Sequence, residues 1–397
     1  MLRFLTAGES HGKGLVVIVE GAPSGLPITT ESIQDELARR RLGFGRGPRM
    51  RFERDEVTLL AGVRHGRSLG SPVAIEIANT EWERWKDEMS PDPGSTARPL
   101  TAPRPGHADL AGMQKYALAD ARDVLERASA RETAARVAAG VVARGVLDVL
   151  GASVLSHTVA LGGVVADATQ RPGPEDRDRV DDDEVRCADP AASAAMVDAI
   201  RAAAKDGDSL GGVAEVLAYG VPVGLGSHVH WDRKLDGLLA QAVMSIQAVK
   251  GVEVGDASRQ AAGRGSEAHD SIARDEGAER SQGGFRRGST RAGGVEGGIT
   301  TGSLVVVRAT MKPLSTLTRP VLETVDLSTG EAATSFKERT DVTAVPAMGV
   351  VAEAMVALVL ASEALRKFGG DSVRELRRNM EGFLVDAANV AHLDAGA

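Results

Sequence analysis

Cysteine is almost absent from this chain, since Cys187 is the only one among 397 residues. A single cysteine excludes an internal disulfide bond, and it leaves no cysteine cluster of the kind that holds a structural metal ion. Aromatic side chains are also scarce, at 3% of the residues. The core must therefore be built from valine, leucine, isoleucine and alanine, and we predict no metal site.

An excess of positive charge is lacking as well, because the formal net charge is -8 at pH 7. Proteins that bind nucleic acid in general carry a basic balance, so this charge argues against that class. Hydrophobic residues make up 43% of the chain and charged residues 26%, which is ordinary for a soluble globular protein. The length suffices for one large core or for two subdomains.

Targeting segments are a third absence. Residues 1–6 enter a strand-like pattern at once and lack the charged region, apolar region and cleavage site of a signal peptide. We also find no apolar run of the length needed to cross a bilayer. These two absences predict a cytoplasmic protein with no membrane partner.

A glycine-rich turn is the most informative feature that is present. Residues 8–14 read Gly-Glu-Ser-His-Gly-Lys-Gly, and an apolar strand follows over residues 15–19. Glycine allows a tight turn and a close approach of the backbone to a ligand. His11 is thereby held at the mouth of a buried strand, where an imidazole can act as an acid near neutral pH. Taken alone, such a pattern is more often a plain turn with a surface histidine.

The hydrophobic pattern mixes long helices with strands that do not alternate strictly, which favours an α+β fold over a doubly wound sheet. Helical periodicity predicts helices over residues 30–41, 108–119, 131–150, 235–249 and 350–368. Runs of β-forming residues predict strands over residues 57–63, 73–78, 154–165, 212–221 and 300–310.

Arginine is concentrated in one short segment with glycines between its members. The segment contains Arg39, Arg40, Arg41, Arg46, Arg49, Arg51 and Arg54. Arginine binds phosphate and carboxylate groups through two nitrogens and keeps its charge, so the segment predicts a site for a small polyanion. A solvated basic loop explains the composition equally well. A nucleic-acid arm is a further alternative, although only Phe44 and Phe52 are available to stack on bases.

Two other segments show little apolar periodicity. Residues 172–184 end in an acidic run, and we predict a solvated insertion there. Residues 255–298 are dense in glycine, serine and charged residues and lead into a strand. A loop of this length inside a compact domain is usually functional or disordered. We favour an active-site loop, with a flexible linker as the alternative.

Three more constellations carry groups suited to chemistry. Residues 104–109, Arg-Pro-Gly-His-Ala-Asp, place His107 on a turn before a helix. Residues 126–133, Glu-Arg-Ala-Ser-Ala-Arg-Glu-Thr, lie where a helix begins, and the backbone amides of a helix start bind phosphate well. Residues 339–341, Arg-Thr-Asp, precede a buried helix, although capping or a plain loop position is the commoner role for Asp341.

Taken together and in this order, the segments resemble the chorismate synthase family over nearly the whole chain. The matching segments are residues 8–12, 104–109, 126–133, 248–253, 311–316 and 339–341. The chain departs from the family at Thr340, where serine, histidine or phenylalanine is usual, and at Thr290, where asparagine is frequent.

The resemblance implies a reaction and a fold. In the family, 5-enolpyruvylshikimate 3-phosphate loses phosphate and a ring proton in a 1,4-elimination, which gives chorismate. The reaction has no net redox change and yet requires reduced FMN, supplied by an external flavin reductase or with NADPH as the electron source. The implied fold is a β-α-β sandwich in a homotetramer. We expect one domain over residues 1–397, with a mobile loop at about residues 255–298.

The resemblance also implies roles residue by residue. His11 and His107 match proton-donating histidines, and Asp341 matches an aspartate that assists proton removal at flavin N5. The residues implied to bind FMN are Arg127, Ala128, Ser129, Gln247, Ala248, Gly297, Lys312, Pro313, Leu314, Ser315, Thr316 and Arg339. Those implied to bind substrate or NADP are Arg40, Arg46, Arg49, Arg104 and Arg131.

Two alternative functions remain open from the residues. One is a flavin oxidoreductase with net hydride transfer, and the other is a nucleic-acid-binding protein that uses the arginine segment. We find no Gly-x-Gly-x-x-Gly turn between a strand and a helix, and so no sign of a separate dinucleotide-binding domain. We therefore predict that the chain does not itself reduce flavin with NADPH.

Overall fold

The structure is a computed structural model that describes residues 1–47, 55–94, 96, 99–275, 277, 282–319, 321–335 and 340–389. Its α-helices are α1 (Thr30–Arg40), α2 (Trp82–Trp85), α3 (Asp109–Tyr116), α4 (Arg122–Ala128), α5 (Thr133–Val149), α6 (Arg177–Asp182), α7 (Pro190–Asp206), α8 (Leu235–Met244), α9 (Ala257–Ala262), α10 (Gly265–Ala268), α11 (Val345–Phe368) and α12 (Val373–Ala388). Its strands are β1 (Arg3–Ala7), β2 (Gly14–Glu20), β3 (Val57–Ala61), β4 (Val63–Arg64), β5 (Arg67–Ser68), β6 (Val73–Ala78), β7 (Ser153–Leu161), β8 (Val164–Val165), β9 (Gly212–Tyr219), β10 (Val249–Val254), β11 (Ile272–Arg274), β12 (Phe285–Arg287), β13 (Val295–Glu296), β14 (Ile299–Thr300), β15 (Val305–Met311), β16 (Glu323–Val325) and β17 (Ala332–Thr334).

The first sheet has the strand order β1-β2-β6-β3 and is antiparallel throughout. One face of this sheet is buried, as strand β6 shows. Val73, Ile75 and Ile77 are fully covered, whereas Glu76 between them is only partly covered. A two-residue alternation of this kind is that of a sheet with one face on the core.

The second sheet is also antiparallel and has the order β10-β15-β9-β7-β8. Helix α11 packs against its strands β7 and β9, helix α5 packs against β2 of the first sheet, and the two helices pack against each other. They approach closely at Gly140, where an added Cβ atom would lie 2.5 Å from the Cβ atom of Ala354. Both helices are apolar because each is covered on most of its surface.

The structure confirms the α+β class, and the predicted helices and strands are present with shifted ends. The strand over residues 73–78 has the predicted bounds, and the helix expected over residues 30–41 ends at Arg40. The helix expected from residue 350 begins five residues earlier at Val345, because Pro346 fits the first helical turn. The strand expected from residue 300 begins at Val305.

Two long helices were missed by the sequence analysis, although their caps are visible in the sequence. The Asp189 side chain accepts hydrogen bonds from the backbone N–H groups of Ala191 and Ala192 at the start of α7. Ser372 and Glu375 form a reciprocal capping box at the start of α12. Each helix also buries one apolar face at helical spacing, with Met196 and Ile200 in α7 and Leu376 and Met380 in α12.

Glu353 lies in the middle of α11 and is fully buried, with no exposed surface. Its carboxylate accepts hydrogen bonds from Arg39 of α1 at 2.8 Å, from Arg186 at 3.0 Å and from the backbone N–H of Ser156 at 2.8 Å. Arg144 of α5 contacts the same carboxylate. Burial raises the pKa of Glu353, but the surrounding guanidinium charges outweigh burial and hold its pKa well below the usual range.

The prediction of a solvated acidic insertion at residues 172–184 holds for Asp178, Asp182 and Glu184, which are exposed, but not for Val180 and Asp181. Residues 177–182 form helix α6, in which Val180 is buried. Asp181 accepts hydrogen bonds from Arg39 and from Arg186, at 2.9 Å for the Nε atom of Arg186. The acidic run therefore supplies a carboxylate to the ion network around Glu353, because the buried arginines need more than one anionic partner.

The expectation that no apolar run is long enough to cross a bilayer is also wrong by length. Helix α11 has 24 residues and is long and apolar enough for a span by composition. Most of its apolar window is buried inside the protein, between α5 and the second sheet. It is the central helix of the core.

We expect Glu353→Ala to lower the free energy of unfolding by about 3–5 kcal/mol, because it leaves the buried Arg39 and Arg186 and the partly buried Arg144 without their shared partner. Urea unfolding followed by circular dichroism measures the change. Glu353→Gln retains the volume and part of the hydrogen bonding, so its loss should be smaller. Glu381→Ala, at an exposed position on α12, is the matched control and should change stability little. A loss at Glu353→Ala no larger than at the control would contradict the account.

Candidate active site

The glycine-rich turn joins β1 to β2 at one end of the first sheet. Gly8 has a φ of 106°, and a Cβ atom there would lie 2.3 Å from the carbonyl oxygen of Gly14. Only glycine fits this position, because another residue would be strained and would clash with the strand. The turn thus places residues 9–13 at the end of the sheet.

The segment from α4 to α5 holds this turn from the other side. The backbone N–H of Ser10 donates to the carbonyl oxygen of Glu126 at 2.9 Å, and the Ser129 hydroxyl lies 3.2 Å from the Ser10 hydroxyl. Arg127 donates to the carbonyl oxygen of Gly8 at 3.0 Å. Two motifs more than a hundred residues apart in the chain therefore form one unit.

Glu126 contacts His11 at two points. One carboxylate oxygen accepts the backbone N–H of His11 at 2.8 Å, and the other lies 2.9 Å from the ring nitrogen Nδ1. The His11 ring packs against Trp85 with 4.2 Å between the ring centroids. Burial raises the pKa of Glu126, but the hydrogen bonds and charge of His11 and the charge of Arg122 outweigh it, so this pKa is lowered. Glu126 is accordingly a carboxylate at neutral pH.

Arg131 helps to hold the glycine-rich turn in place. Its Nε atom donates to the side-chain oxygen of Asn79 at 2.9 Å, and its guanidinium pairs with the buried carboxylate of Asp55. The amide nitrogen of Asn79 donates in turn to the carbonyl oxygens of Glu9 at 3.0 Å and Gly12 at 2.8 Å. The buried Arg131 is therefore connected to the glycine-rich turn through Asn79.

The second histidine has a carboxylate partner too. His107 Nδ1 lies 2.5 Å from the carboxylate of Asp109, which is fully buried. Arg104 donates to the same carboxylate through Nε at 2.8 Å and through its backbone N–H at 3.1 Å. Burial raises the pKa of Asp109, but the hydrogen bonds from His107 and Arg104 outweigh burial and hold the pKa below its usual range.

A cavity of about 390 Å³ opens beside the turn. Its lining residues are Phe4, Leu5, Thr6, Arg127, Glu132, Arg136, Ser245, Gln247 and Met355. Gln247 Nε2 donates to Glu132 at 3.2 Å, while its Oε1 atom is buried without a hydrogen-bond partner among the described residues. The lining therefore combines two arginines, one carboxylate and neutral polar groups with the apolar side chains of Phe4, Leu5 and Met355.

Residues 312–316 continue from this cavity towards His107. The backbone N–H of Lys312 donates to the carbonyl oxygen of Ala248 at 3.0 Å, and the Lys312 ammonium group donates to the carbonyl oxygen of Gly106. Ser315 lies close to Gly106 as well. The segment thus bridges the residue that follows Gln247 and the turn that carries His107.

Asp341 closes the far end of the segment. The hydroxyls of Thr316 and Thr340 lie 2.9 Å apart, which brings the two segments together. One oxygen of Asp341 accepts the backbone N–H of Gly47 at 2.6 Å, and the other lies 3.3 Å from Arg46 Nε. Asp341 does not cap α11, which begins after it with no side-chain cap.

Known proteins of one family are similar to this chain in sequence and in fold. The family model described as chorismate synthase matches residues 2–365. A chorismate synthase of Salinispora tropica is 60% identical over 393 residues, covering 97% of this chain and 98% of the relative. That of Streptomyces coelicolor is 60% identical over 392 residues, covering 96% and 98%. A crystal structure of chorismate synthase, 40% identical, has a TM-score of 0.78 and covers 98% of both chains.

The chain belongs to the chorismate synthase family. It is therefore an enzyme, a carbon-oxygen lyase that forms chorismate by eliminating phosphate from 5-enolpyruvylshikimate 3-phosphate. The lyase reaction places it in the biosynthesis of aromatic amino acids.

Most residues that the chorismate synthase resemblance implied for the site lie in segments that contact one another in the structure. Arg40 is buried next to them and donates to the hydroxyl of Thr133 at 3.3 Å. The carbonyl oxygen of Leu314 accepts a hydrogen bond from the Ser209 hydroxyl. Ala128 and Pro313 each lie in the chain between two residues whose contacts are described here. Gly297 occupies the turn between β13 and β14, where an added Cβ atom would meet no described atom within 4 Å. Arg49 and Arg339 lie outside the described residues.

The two departures from the chorismate synthase pattern each have a hydrogen-bonding role. The Thr290 hydroxyl accepts from Arg171 at 3.1 Å, and Thr340 meets Thr316 as described above. At both positions the threonine hydroxyl makes a hydrogen bond to another part of the chain.

Several residues of this chorismate synthase site were not assigned a role from the sequence. Glu126 and Asp109 stood inside the quoted motifs, but nothing local indicated that they contact histidines. Asn79 and Asp55 flank strands of the first sheet, and their partners are far away in the chain. The sequence offered one signal for Asn79 and Asp55, which is their residue type, because a buried arginine requires a carboxylate or an amide as its partner.

Proposed function

We propose that this lyase works with reduced FMN bound in the cavity beside the glycine-rich turn. The observation that carries the proposal is the lining of that cavity, because Arg127 and Gln247 are both among the residues implied to bind FMN. The neighbouring segments supply Ser129, Ala248 and Lys312, which belong to the same set.

The residues present fit a flavin nucleotide. A volume of about 390 Å³ lies within the usual range for cofactor pockets, about 300–1,000 Å³. Arg127 and Arg136 offer cations for a phosphate, and Phe4 and Met355 offer apolar surface for a planar ring system. The buried Oε1 atom of Gln247 has no hydrogen-bond partner among the described residues, and an N–H group of the flavin ring can donate to it.

Reduced flavin, when bound, supplies an electron transiently for cleavage of the carbon–oxygen bond, with no net change of oxidation state. The protein's own task is to hold anions and to move protons. The substrate carries a phosphate and two carboxylates, and we assign Arg40, Arg46, Arg104 and Arg131 to them. The guanidinium groups of Arg104 and Arg131 are already fixed by buried carboxylates, so little reorganisation is needed when charge develops.

His11 and His107 are the proposed proton donors, one of them to the departing phosphate. Each ring has a carboxylate at Nδ1, and for His11 this leaves Nε2 as the nitrogen that gives up a proton. Asp341 is the proposed group that assists removal of a proton at flavin N5. Its oxygens are held by Gly47 and Arg46, which keeps the carboxylate in one orientation.

The proposal extends to assembly and context. Leu5 and Ile18 stand opposite each other on the outer face of the first sheet and are exposed, which favours association of copies into a homotetramer. We further propose a β-α-β sandwich as the family arrangement, a single domain, a cytoplasmic location, and a segment at residues 255–298 that orders over bound ligands. The exposed surface of α9 and α10 supports the last point.

Replacement of either histidine tests the proton donors. We expect His11→Ala and His107→Ala each to lower turnover by roughly 10²–10⁴-fold while the protein stays folded. Turnover is measured anaerobically with chemically reduced FMN, and folding by circular dichroism. His228→Ala, at an exposed position, is the control and should retain activity. Near-normal turnover in either variant rejects the role of that histidine.

Arg46 tests the binding of substrate anions. Arg46→Ala should raise the apparent KM by roughly 10- to 100-fold, since a hydrogen bond to a charged group contributes about 1.5–3 kcal/mol. Arg64→Ala, at an exposed position on β4, is the matched control. An unchanged KM with intact folding would show that Arg46 does not contact the substrate.

The source of reduced flavin is tested by two assays on one preparation. With chemically reduced FMN under anaerobic conditions, we expect release of phosphate from 5-enolpyruvylshikimate 3-phosphate. With oxidised FMN and NADPH alone, we expect almost none until an external flavin reductase is added. Robust turnover in the second assay, with contaminating reductase excluded, would demonstrate an intrinsic reductase. No turnover in the first assay would overturn the proposed cofactor.

A further inference from the structure

Glu126 differs from the other acidic residues of the site in what it contacts. It is 2% exposed, and it reaches His11 across 115 positions of the chain. Its oxygens meet both the backbone N–H and the ring Nδ1 of His11, at 2.8 and 2.9 Å. The backbone contact fixes the position of the residue, and the ring contact fixes the direction of the imidazole.

The face of the His11 ring is held as well. Trp85 packs against it with an angle of 32° between the ring planes, and Arg122 lies over Trp85 at 4.9 Å from its ring. Arg122 also donates to Glu126 at 3.3 Å. Glu126, Trp85 and Arg122 together leave the ring of His11 little freedom to rotate.

Glu126 also determines which ring nitrogen carries a proton. An ionised carboxylate only accepts hydrogen bonds, so Nδ1 must donate to it. A neutral His11 then has its lone pair on Nε2, and a charged His11 gives up its proton from Nε2. His107 is less well defined, because Arg104 Nη2 lies 3.1 Å from its Nδ1 and binds the same Asp109.

We propose that Glu126 is the positioning residue of His11, holding its Nδ1–H tautomer so that Nε2 is the nitrogen that exchanges the proton in the reaction. The inference rests on the proposed role of His11 as a proton donor. It assigns to Glu126 no contact with substrate or flavin; the carboxylate acts only through the histidine.

The variant Glu126→Gln separates the positioning role of Glu126 from a purely structural one. The hydrogen bond from Ser10 uses the backbone carbonyl oxygen of Glu126, so it persists when the side chain is changed. Glu126→Gln keeps the shape of the side chain and its ability to accept from the backbone N–H of His11. The amide nitrogen can donate to Nδ1, which favours the opposite tautomer.

The test is a cycle of four proteins: the unchanged enzyme, His11→Ala, Glu126→Gln and the double variant. Glu126→Gln should lower kcat by about 10- to 100-fold and leave the KM for substrate nearly unchanged. In the His11→Ala background it should cause almost no further loss, because its effect passes through the missing ring. Asp123→Asn, an exposed carboxylate of the same helix, is the control and should behave like the unchanged enzyme.

Nitrogen NMR of histidine-labelled protein supplies a second readout. Neutral His11 should show the Nδ1–H tautomer, and Glu126→Gln should shift the signal towards the Nε2–H form. Multiplicative losses in the double variant, or an unchanged tautomer, would overturn the positioning role. Normal kcat in Glu126→Gln with impaired His11→Ala would overturn it while His11 keeps its role. Normal kcat in His11→Ala would instead overturn the proposed role of His11 and, with it, this inference.

Discussion

Arg131 reaches Asp55 and Asn79 from the start of α5, and Asn79 in turn holds the carbonyl oxygens of Glu9 and Gly12. A buried guanidinium without a partner is strongly unfavourable, so the position of Arg131 and that of the turn depend on each other. Glu353 imposes the same constraint deeper in the core, where it ties α11 to α1, α5 and β7. Pairing of buried arginine with buried carboxylate thus organises both the packed helices and the site beside them.

This constraint suits an enzyme whose substrate and cofactor are both anionic. Arginines that are held in place by carboxylates keep a fixed geometry before any ligand arrives, and fixed charges stabilise developing charge better than mobile ones. Two of these arginines are held in this way: Arg104 by Asp109, which is five residues further along the chain, and Arg46 by the distant Asp341. The same pairs set the orientation of His107 and of Asp341, so anion binding and proton transfer depend on shared side chains.

Local pattern predicted the elements whose own residues determine them. The strand over residues 73–78 alternates buried and half-covered residues, and the helix from residue 30 has its cap and apolar stripe, so both could be predicted from sequence. Helices α7 and α12 were missed although each has a capping side chain and a buried apolar face in its own sequence. Family motifs indicated His11, His107 and Asp341. Their partners could not be predicted, because contacts such as that between Glu126 and His11 depend on the folded path of the chain.

A crystal structure of the protein with oxidised FMN and 5-enolpyruvylshikimate 3-phosphate is the most direct measurement of the central claim. The account predicts flavin in the cavity lined by Arg127 and Gln247, with the substrate anions on Arg46 and Arg131. It predicts His11 and His107 within about 3.5 Å of a ligand atom. Flavin bound elsewhere, with both histidines remote from either ligand, would contradict the account.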